Sequence, residues 1–447
     1  MVHFEFVDYP WALFGSSPLI RHTLPLSLAI ESVMTASARS TADSQVSGNR
    51  FSEIPMAPPD SILGLTEAYA ADPNPDKMNL AVGVYKDASG QTPVLASVKA
   101  AERRLVQHET TKGYLTIDGL AEYCNHVRQL VLGDCVDASR IAVAQTPGGT
   151  GALRVAADFF RAQLSPIRVW LPTPTWANHA AIFAAAGIPT DSYRYLAKDR
   201  TSLDFTGMLD DLQHRTTKGD AVLLHACCHN PTGVDPSPEQ WRELAGVLAE
   251  RCLLPVIDFA YQGFGAGLDE DAAGLHTVLD HVREAIVCSS FSKNFGLYSE
   301  RVGAISLVAH DGQVAKTALS QLKSAIRSNY SNPPRHGAAI VATILSDAEL
   351  MAQWHAELDE MRLRIASLRR AFVDTMKVTG AGHDFSFLVP QQGMFSFSGL
   401  NAMQVDELRH KHSIYIVGDG RINVAGMAEN RLEQLCQAVA SVLEQPT

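Results

Sequence analysis

Between residues 140 and 310 the sequence alternates short apolar runs with stretches of helical length, and this rhythm most restricts the fold. The runs are RIAVAQ, IRVWLP, GDAVLLHAC, LLPVIDFAY, EAIVCSSF and RVGAISLVA. Between them lie GALRVAADFFRAQL, HAAIFAAAG and SPEQWRELAGVLAERC, which carry helical patterns. Strands that alternate with helices at this pitch build βαβ units, so a mostly parallel sheet covered by helices is expected. After residue 337 the pattern changes. A long helical stretch, MAQWHAELDEMRLRIASLRRAFVDTM, leads to FSFLVPQQGMFSFSGL, a helix over 404–410, the run SIYIVGDGRINVAG and a final helix. This α+β text predicts a second, smaller domain, which the region after residue 60 joins across the chain.

The chain of 447 residues is long enough for roughly two or three domains. A net charge of −11 argues against sequence-independent nucleic-acid binding, which needs a basic footprint. An anionic substrate would therefore need specific arginines. Seven cysteines at irregular spacing do not read as a disulfide framework and are expected to be reduced core residues, in a cytoplasmic compartment. No run approaches the roughly 18 apolar residues of a membrane helix. Residues 1–50 mix apolar clusters, prolines and a Ser/Thr/Ala-rich stretch, with Glu5 and Asp8 where a signal peptide is basic. They are read as a disordered extension or an early start, with Met34 an alternative first residue.

In covered parallel sheets, ligands bind beyond the carboxyl ends of the strands. The polar residues just past each run are therefore the candidates. After RIAVAQ, Gly148, Gly149 and Thr150 open a helix whose free N–H groups suit a phosphate, although a plain tight turn fits as well. After GDAVLLHAC comes Asn230 in HNPTG, which is equally an ordinary Asn-Pro turn. Asp258 stands inside an apolar strand and needs a cationic partner there, with Tyr261 three residues on. Lys293 ends EAIVCSSFSK, where burial would lower its pKa and make it a nucleophile or imine former. Arg301, eight residues later, is a natural phosphate ligand. Trp176 could stack on a ring or belong to the core. One ligand satisfies the set: an aldehyde on an aromatic nitrogen ring with a phenolic oxygen and a phosphate, as in pyridoxal 5'-phosphate.

Two rival readings start from the same lysine. Ser290-Phe291-Ser292-Lys293 fits the S-x-x-K pattern of serine acyl-enzymes, but the S-D-N and K-T-G segments of that class do not occur. A non-enzymatic scaffold would leave these strand-end residues merely structural.

QTPGGTGALR, HNPTG, VIDFAYQGFG, SFSKNFGLYSERVG, NYSNPP and GRINVAGM, in this order and spacing, resemble the aspartate aminotransferase branch of the class I pyridoxal-phosphate aminotransferases. The resemblance runs from about Phe51 to the C-terminus. It implies the fold type I architecture: a large cofactor-binding domain over 93–360 with a mostly parallel seven-stranded sheet, a small domain of 60–92 and 361–447, and an N-terminal arm at 51–59. It implies that Lys293 forms the imine and shuttles the substrate proton. Asp258, supported by His179, would pair with the pyridine nitrogen, and Asn230 and Tyr261 would hold the phenolate oxygen. Gly149, Thr150, Ser290 and Arg301 would hold the phosphate, and Trp176 would stack on the ring. Gly83, Trp176, Asn230 and Arg421 would meet the substrate, Arg421 gripping its α-carboxylate. Taken from the residues alone, Arg421 is a surface arginine on a strand. The family's homodimer implies that Tyr114 reaches a second copy's phosphate and Arg327 a second copy's substrate.

The resemblance implies amino acids and 2-oxo acids as substrates, either dicarboxylic or also aromatic. Val84, Lys86, Thr92, Thr150 and Asn332 match the aspartate type. Gly113, where that type carries asparagine, departs from it and leaves room for a ring. Gly148, where some members carry serine, would remove one phosphate contact.

Overall fold

The computed structural model describes residues 51–52, 54–57, 63–380 and 382–443. The extension over 1–50 lies outside the described residues, as do positions 53, 58 and 59 of the expected arm. The chain divides into two units, 1–58 and 59–447. In the first, Phe51 and Ser52 form a turn that Ile54 N–H closes on the Phe51 carbonyl at 3.2 Å.

In the second unit the strands are β1 (Met78–Asn79), β2 (Ile141–Pro147), β3 (Val169–Thr173), β4 (Thr190–Arg194), β5 (Ala221–His225), β6 (Leu254–Phe259), β7 (Ala285–Ser290), β8 (Val302–Val308), β9 (Phe395–Phe397), β10 (Ile414–Tyr415) and β11 (Arg421–Asn423). Seven of them make one sheet in the order β2-β8-β7-β6-β5-β3-β4. Strands β4, β3, β5, β6 and β7 are mutually parallel. Strand β8 runs antiparallel to both of its neighbours. The reason is the connection: residues 291–301 join β7 to β8 with no crossover helix, and only antiparallel strands accept so short a link. That short link carries Lys293.

The six runs read from the sequence are β2, β3, β5, β6, β7 and β8. Strand β4, TDSYR, was not among them, because at this sheet edge only Tyr193 is buried. Strands β5 and β8 are buried at every position, the continuous apolar signature of a strand covered on both faces. The long helix Ala348–Thr379 begins at Asp347, whose carboxylate accepts from Glu349 and Leu350 N–H. It ends at Gly380 in the left-handed conformation, a regular C-terminal stop. Two small sheets lie apart from the large one: β1 parallel to β10, and β9 antiparallel to β11.

Helix Ala348–Thr379 braces the β7–β8 link. Trp354, fully buried, stacks on Phe295 with ring centroids 4.2 Å apart and planes 10° from parallel. Its Nε1 donates to the Asn294 carbonyl at 2.8 Å. Trp354→Ala would leave a cavity and an unpaired buried carbonyl beside Lys293. The expected loss is about 3–5 kcal/mol of unfolding free energy, read from a denaturant titration.

Candidate active site

A cavity of about 380 Å³ opens where β2, β3, β5, β6 and β7 end. Eleven residues singled out in the sequence line it: Gly83, Gly149, Thr150, Trp176, Asn230, Asp258, Tyr261, Ser290, Lys293, Arg301 and Arg421. His179 stands one layer behind. Its Nε2 meets Asp258 Oδ2 at 3.0 Å, and its Nδ1 meets Thr175 Oγ1 at 2.8 Å. A wider groove of about 1630 Å³ lies at the other ends of the parallel strands, lined by residues such as Arg168, Lys218 and Leu254, far from this chemistry.

Asp258 enters because β6 is apolar up to its last turn and then reaches the sheet's end. Burial alone would raise its pKa. The His179 hydrogen bond, helped by nearby positive charge such as that of Lys293, outweighs burial and holds it below the ordinary carboxylate value. Burial drives His225 down to about 3, so it stays neutral at physiological pH, and neither of its ring nitrogens has a partner among the described residues.

Lys293 sits between two anchors, Phe291 and Phe295, both buried to 1% exposure or less. Gly296, at φ +64°, turns the chain so that its N–H reaches the Lys293 carbonyl at 2.9 Å. The ammonium lies 4.9 Å from the centre of the Tyr261 ring. Burial lowers its pKa to about 8, Asp258 opposing the fall and Arg301 adding to it. Burial raises Tyr261, so it remains a neutral phenol. Asn230 Nδ2 donates to Tyr261 OH at 3.2 Å.

The phosphate-type end is built by Gly149, Thr150, Ser290, Ser292 and Arg301. Ser290 Oγ donates to Ser292 Oγ at 3.3 Å, and Arg301 NH1 to Ser292 Oγ and the Tyr298 carbonyl, both at 3.1 Å. Arg301 itself is left-handed at φ +54°, a costly conformation outside glycine. Gly148, at φ +74°, faces it: a Cβ there would lie 2.5 Å from Arg301 NH2. Glycine at 148 is therefore the form this guanidinium position requires.

The expectation of a surface position for Arg421 is corrected: it is 5% exposed. Strand β11 is only three residues long and pairs with β9, so Arg421 points beneath Phe395, 4.3 Å from the ring centre. Its NH1 donates to Asn230 Oδ1 at 3.2 Å and its NH2 to the Ala81 carbonyl at 2.9 Å, while Nε has no partner among the described residues. Gly83 leaves room for Phe395, since a Cβ at 83 would meet its ring at 2.6 Å.

Tyr114 and Arg327 do not line the cavity of this single chain. Tyr114 is 95% exposed, and Arg327 is exposed with NH1 bonded to Ser331 Oγ. Gly113 is exposed too, and a Cβ there would meet only Thr111 Oγ1, at 3.4 Å. Five lining residues were not assigned to the site from the sequence: Ser292 and Tyr298 stand within the lysine segment with nothing in the spacing to face them inward, and Leu153, Ala260 and Phe395 look like core. Another correction concerns Cys252, which is exposed rather than core.

A buried amine beside a buried carboxylate, with three cations around one cavity, defines an enzyme of lysine-based carbonyl chemistry on anionic ligands. The family model "Aminotransferase class I and II" matches residues 75–439. The chain is 52% identical to an aspartate aminotransferase of Haemophilus influenzae, covering 88% of this chain and all of the relative. It is 47% identical to an aromatic-amino-acid aminotransferase of Pseudomonas aeruginosa over 88% of this chain and 99% of the relative. The crystal structure of an aromatic-amino-acid aminotransferase from Burkholderia pseudomallei, covalently bound to pyridoxal phosphate, superposes with a TM-score of 0.85 at 46% identity, over 88% of this chain and all of that one. The chain belongs to the class I and II aminotransferases.

The depressed pKa of Lys293 has a testable sign. Only the neutral amine attacks a carbonyl, so in cofactor-free protein its trapping by a small aldehyde and borohydride should rise about tenfold per pH unit below about 8 and level off above. Exposed lysines should keep rising to about 10.4. Peptide mass mapping across pH distinguishes the two curves.

Proposed function

We propose that this chain is a pyridoxal-5'-phosphate-dependent aspartate aminotransferase. It would move the amino group reversibly between L-aspartate and 2-oxoglutarate, giving oxaloacetate and L-glutamate by a ping-pong sequence. One observation carries the reading. In a chain of net charge −11, the described lining of the cavity holds Lys293, Arg301 and Arg421 against the single carboxylate of Asp258. Such a site has a surplus of positive charge for phosphate and carboxylate groups.

The donor set fits the cofactor. Gly149, Thr150, Ser290 and Arg301 would hold its phosphate at the start of helix Gly148–Phe159. Trp176 would cover the ring face. Asp258, oriented by His179, would keep a proton on the pyridine nitrogen. Tyr261 and Asn230 would hold the phenolic oxygen. When bound, the cofactor supplies a carbonyl and an electron-withdrawing ring that takes up the electron pair of the substrate Cα–H bond. The chain's own residues supply the rest. Arg421, whose Nε has no partner among the described residues, would bind the substrate α-carboxylate and orient Cα, with Gly83 lining the cavity beside it. Lys293, whose pKa lies near 8, would take the Cα proton and return one to the cofactor's carbonyl-derived carbon, across the amino nitrogen.

We also propose a homodimer with shared sites. Tyr114 and Arg327, exposed here, would reach the phosphate and the distal substrate carboxylate of a second copy. The expected division into a large domain, 93–360, and a small domain, 60–92 with 361–447, accords with the separation of the two small sheets from the large one. The cytoplasm is the proposed compartment. Among the described residues, no helix is long and apolar enough to cross a membrane.

A second reading, broad activity on aromatic amino acids, is favoured by Gly113 and by the aromatic-amino-acid relative. Comparing kcat/KM for aspartate, tyrosine and phenylalanine with 2-oxoglutarate decides between them. Aspartate should lead; an aromatic lead would replace the proposal. Lys293→Ala should abolish turnover and the near-visible absorbance of the loaded enzyme while the circular dichroism spectrum persists. A variant as active as wild type would remove Lys293 from the mechanism. Arg327→Leu should cost dicarboxylates about 3 kcal/mol, roughly a hundredfold in kcat/KM, and phenylalanine far less. Equal losses would show that Arg327 does not read the side chain.

A further inference from the structure

Asn230 and Tyr261 meet at the cavity wall but come from different loops, one after β5 and one after β6. Each loop folds around a carboxylate that takes no part in the proposed chemistry. Asp235 accepts Cys228 N–H at 2.6 Å and His229 N–H at 2.8 Å, the two amides just before Asn230. The same turn is closed by Gly233 N–H on the His229 carbonyl at 2.7 Å and by His229 Nδ1 on Thr232 Oγ1 at 2.9 Å. Asp271, 4% exposed, accepts Gly263 and Gly265 N–H on Oδ2 at 2.8 and 2.9 Å, and Ala266 N–H on Oδ1 at 2.8 Å. These amides belong to the loop that Tyr261 begins. Gly265 has to be glycine here, since a Cβ would stand 2.4 Å from Asp271 Oδ1.

The two clamps are joined. Cys227 and Cys228 lie within the field of both carboxylates, and burial raises both thiols, so they are inert filler. Gln262, between Tyr261 and Gly263, accepts Asn294 Nδ2 on its carbonyl at 3.2 Å, which ties the Asp271 loop to the residue after Lys293. Burial raises Asp235 and Asp271, and Asp271 adds to the rise of Asp235. The other groups near them are His229, Tyr195, which feels the charge of Asp235, and Arg369, which faces Cys228 from helix Ala348–Thr379. Arg369 donates instead to the Gly393 carbonyl at 2.6 Å. Five amide donors thus converge on two carboxylates, and both sets of amides belong to the wall that presents Asn230 and Tyr261.

We propose that Asp235 and Asp271 are a paired set of positioning residues that fix Asn230 and Tyr261 against the cofactor's phenolic oxygen. This rests on the proposed cofactor. Asparagine at either position keeps the size but replaces one acceptor oxygen by an NH2 that repels the gathered amides, so the loop must shift. A displacement of about 1 Å at a reacting group costs roughly a hundredfold.

The test uses holoenzyme carrying Asp235→Asn or Asp271→Asn. Hydrogen exchange at 228–229 or 263–266 should accelerate at least about tenfold, with β8 unchanged. The pH midpoint of the near-visible absorbance should move up by about one unit, because weakened donors to the phenolic oxygen leave that oxygen free to hold the neighbouring proton. kcat should fall more than KM rises. Asp235→Glu, which keeps two acceptor oxygens at a half-buried position, should shift the midpoint less than Asp235→Asn, and an equal shift would count against a role for the acceptor oxygens. Faster exchange with an unmoved midpoint and kcat would mean the carboxylates only stabilise their loops, and would overturn the proposal. Should Asp271→Asn fail to fold, Asp235→Asn decides alone. If wild type gains no near-visible absorbance with pyridoxal 5'-phosphate, the cofactor reading fails instead, and the proposed positioning role falls with it.

Discussion

The Asp258 carboxylate, held by His179 at the end of a buried strand, is the interaction on which the site depends. Moving an unpaired carboxylate out of water costs several kcal/mol. Here His179 offsets that cost without neutralising the charge, because Nδ1 of the ring is tied to Thr175 and its orientation is fixed. The ionised form is thereby kept where the sheet would otherwise exclude it. Lys293 experiences the opposite balance. Burial outweighs the attraction of Asp258, so the amine sheds its proton near pH 8. Two neighbouring apolar strand ends thus yield a persistent anion and a titratable base within a single cavity.

The topology explains how these two groups come together. Strands β6 and β7 are parallel neighbours, with Asp258 in register with Cys288. The chain leaving β7 cannot cross over, since only residues 291–301 separate it from antiparallel β8. It must therefore turn above the sheet's end, and Phe291, Phe295 and Trp354 fix that turn by burial. Lys293 is the residue left facing the cavity. The left-handed Arg301 is the exit of the same turn, and its conformation is tolerated because Ser292 and the Tyr298 carbonyl hold the guanidinium.

The large sheet and its strand-end residues were legible in the sequence for a physical reason. A strand covered on both faces must be apolar throughout, so a polar residue near or past its end stands out, as Asp258 inside β6 and Lys293 beyond β7 do. Strand β4 was invisible because an edge strand buries one residue in five and looks like a loop. Arg421 was invisible for another reason. Its strand is three residues long, too short for periodicity to assign a face, and its partners Asn230, Ala81 and Phe395 are far away in sequence. Tyr114 and Arg327 were named through resemblance alone, and nothing in one chain's cavity depends on them.

Arg421 also separates two kinds of burial. Asp258 and Lys293 offset one another inside the chain, but among the described residues Arg421 has only neutral acceptors, the Asn230 amide oxygen and the Ala81 carbonyl, and its Nε has none. A folded chain gains nothing by hiding a guanidinium this way: burial disfavours the charge, and two neutral hydrogen bonds do not replace its hydration. Gly83 lets the Phe395 ring come close, and that ring covers the face of the guanidinium. The arrangement is costly for the empty protein and favourable once a carboxylate arrives, which is how a binding site for an anion differs from a structural ion pair. The unfavourable part of the fold is thus concentrated at the position where a ligand's charge would relieve it.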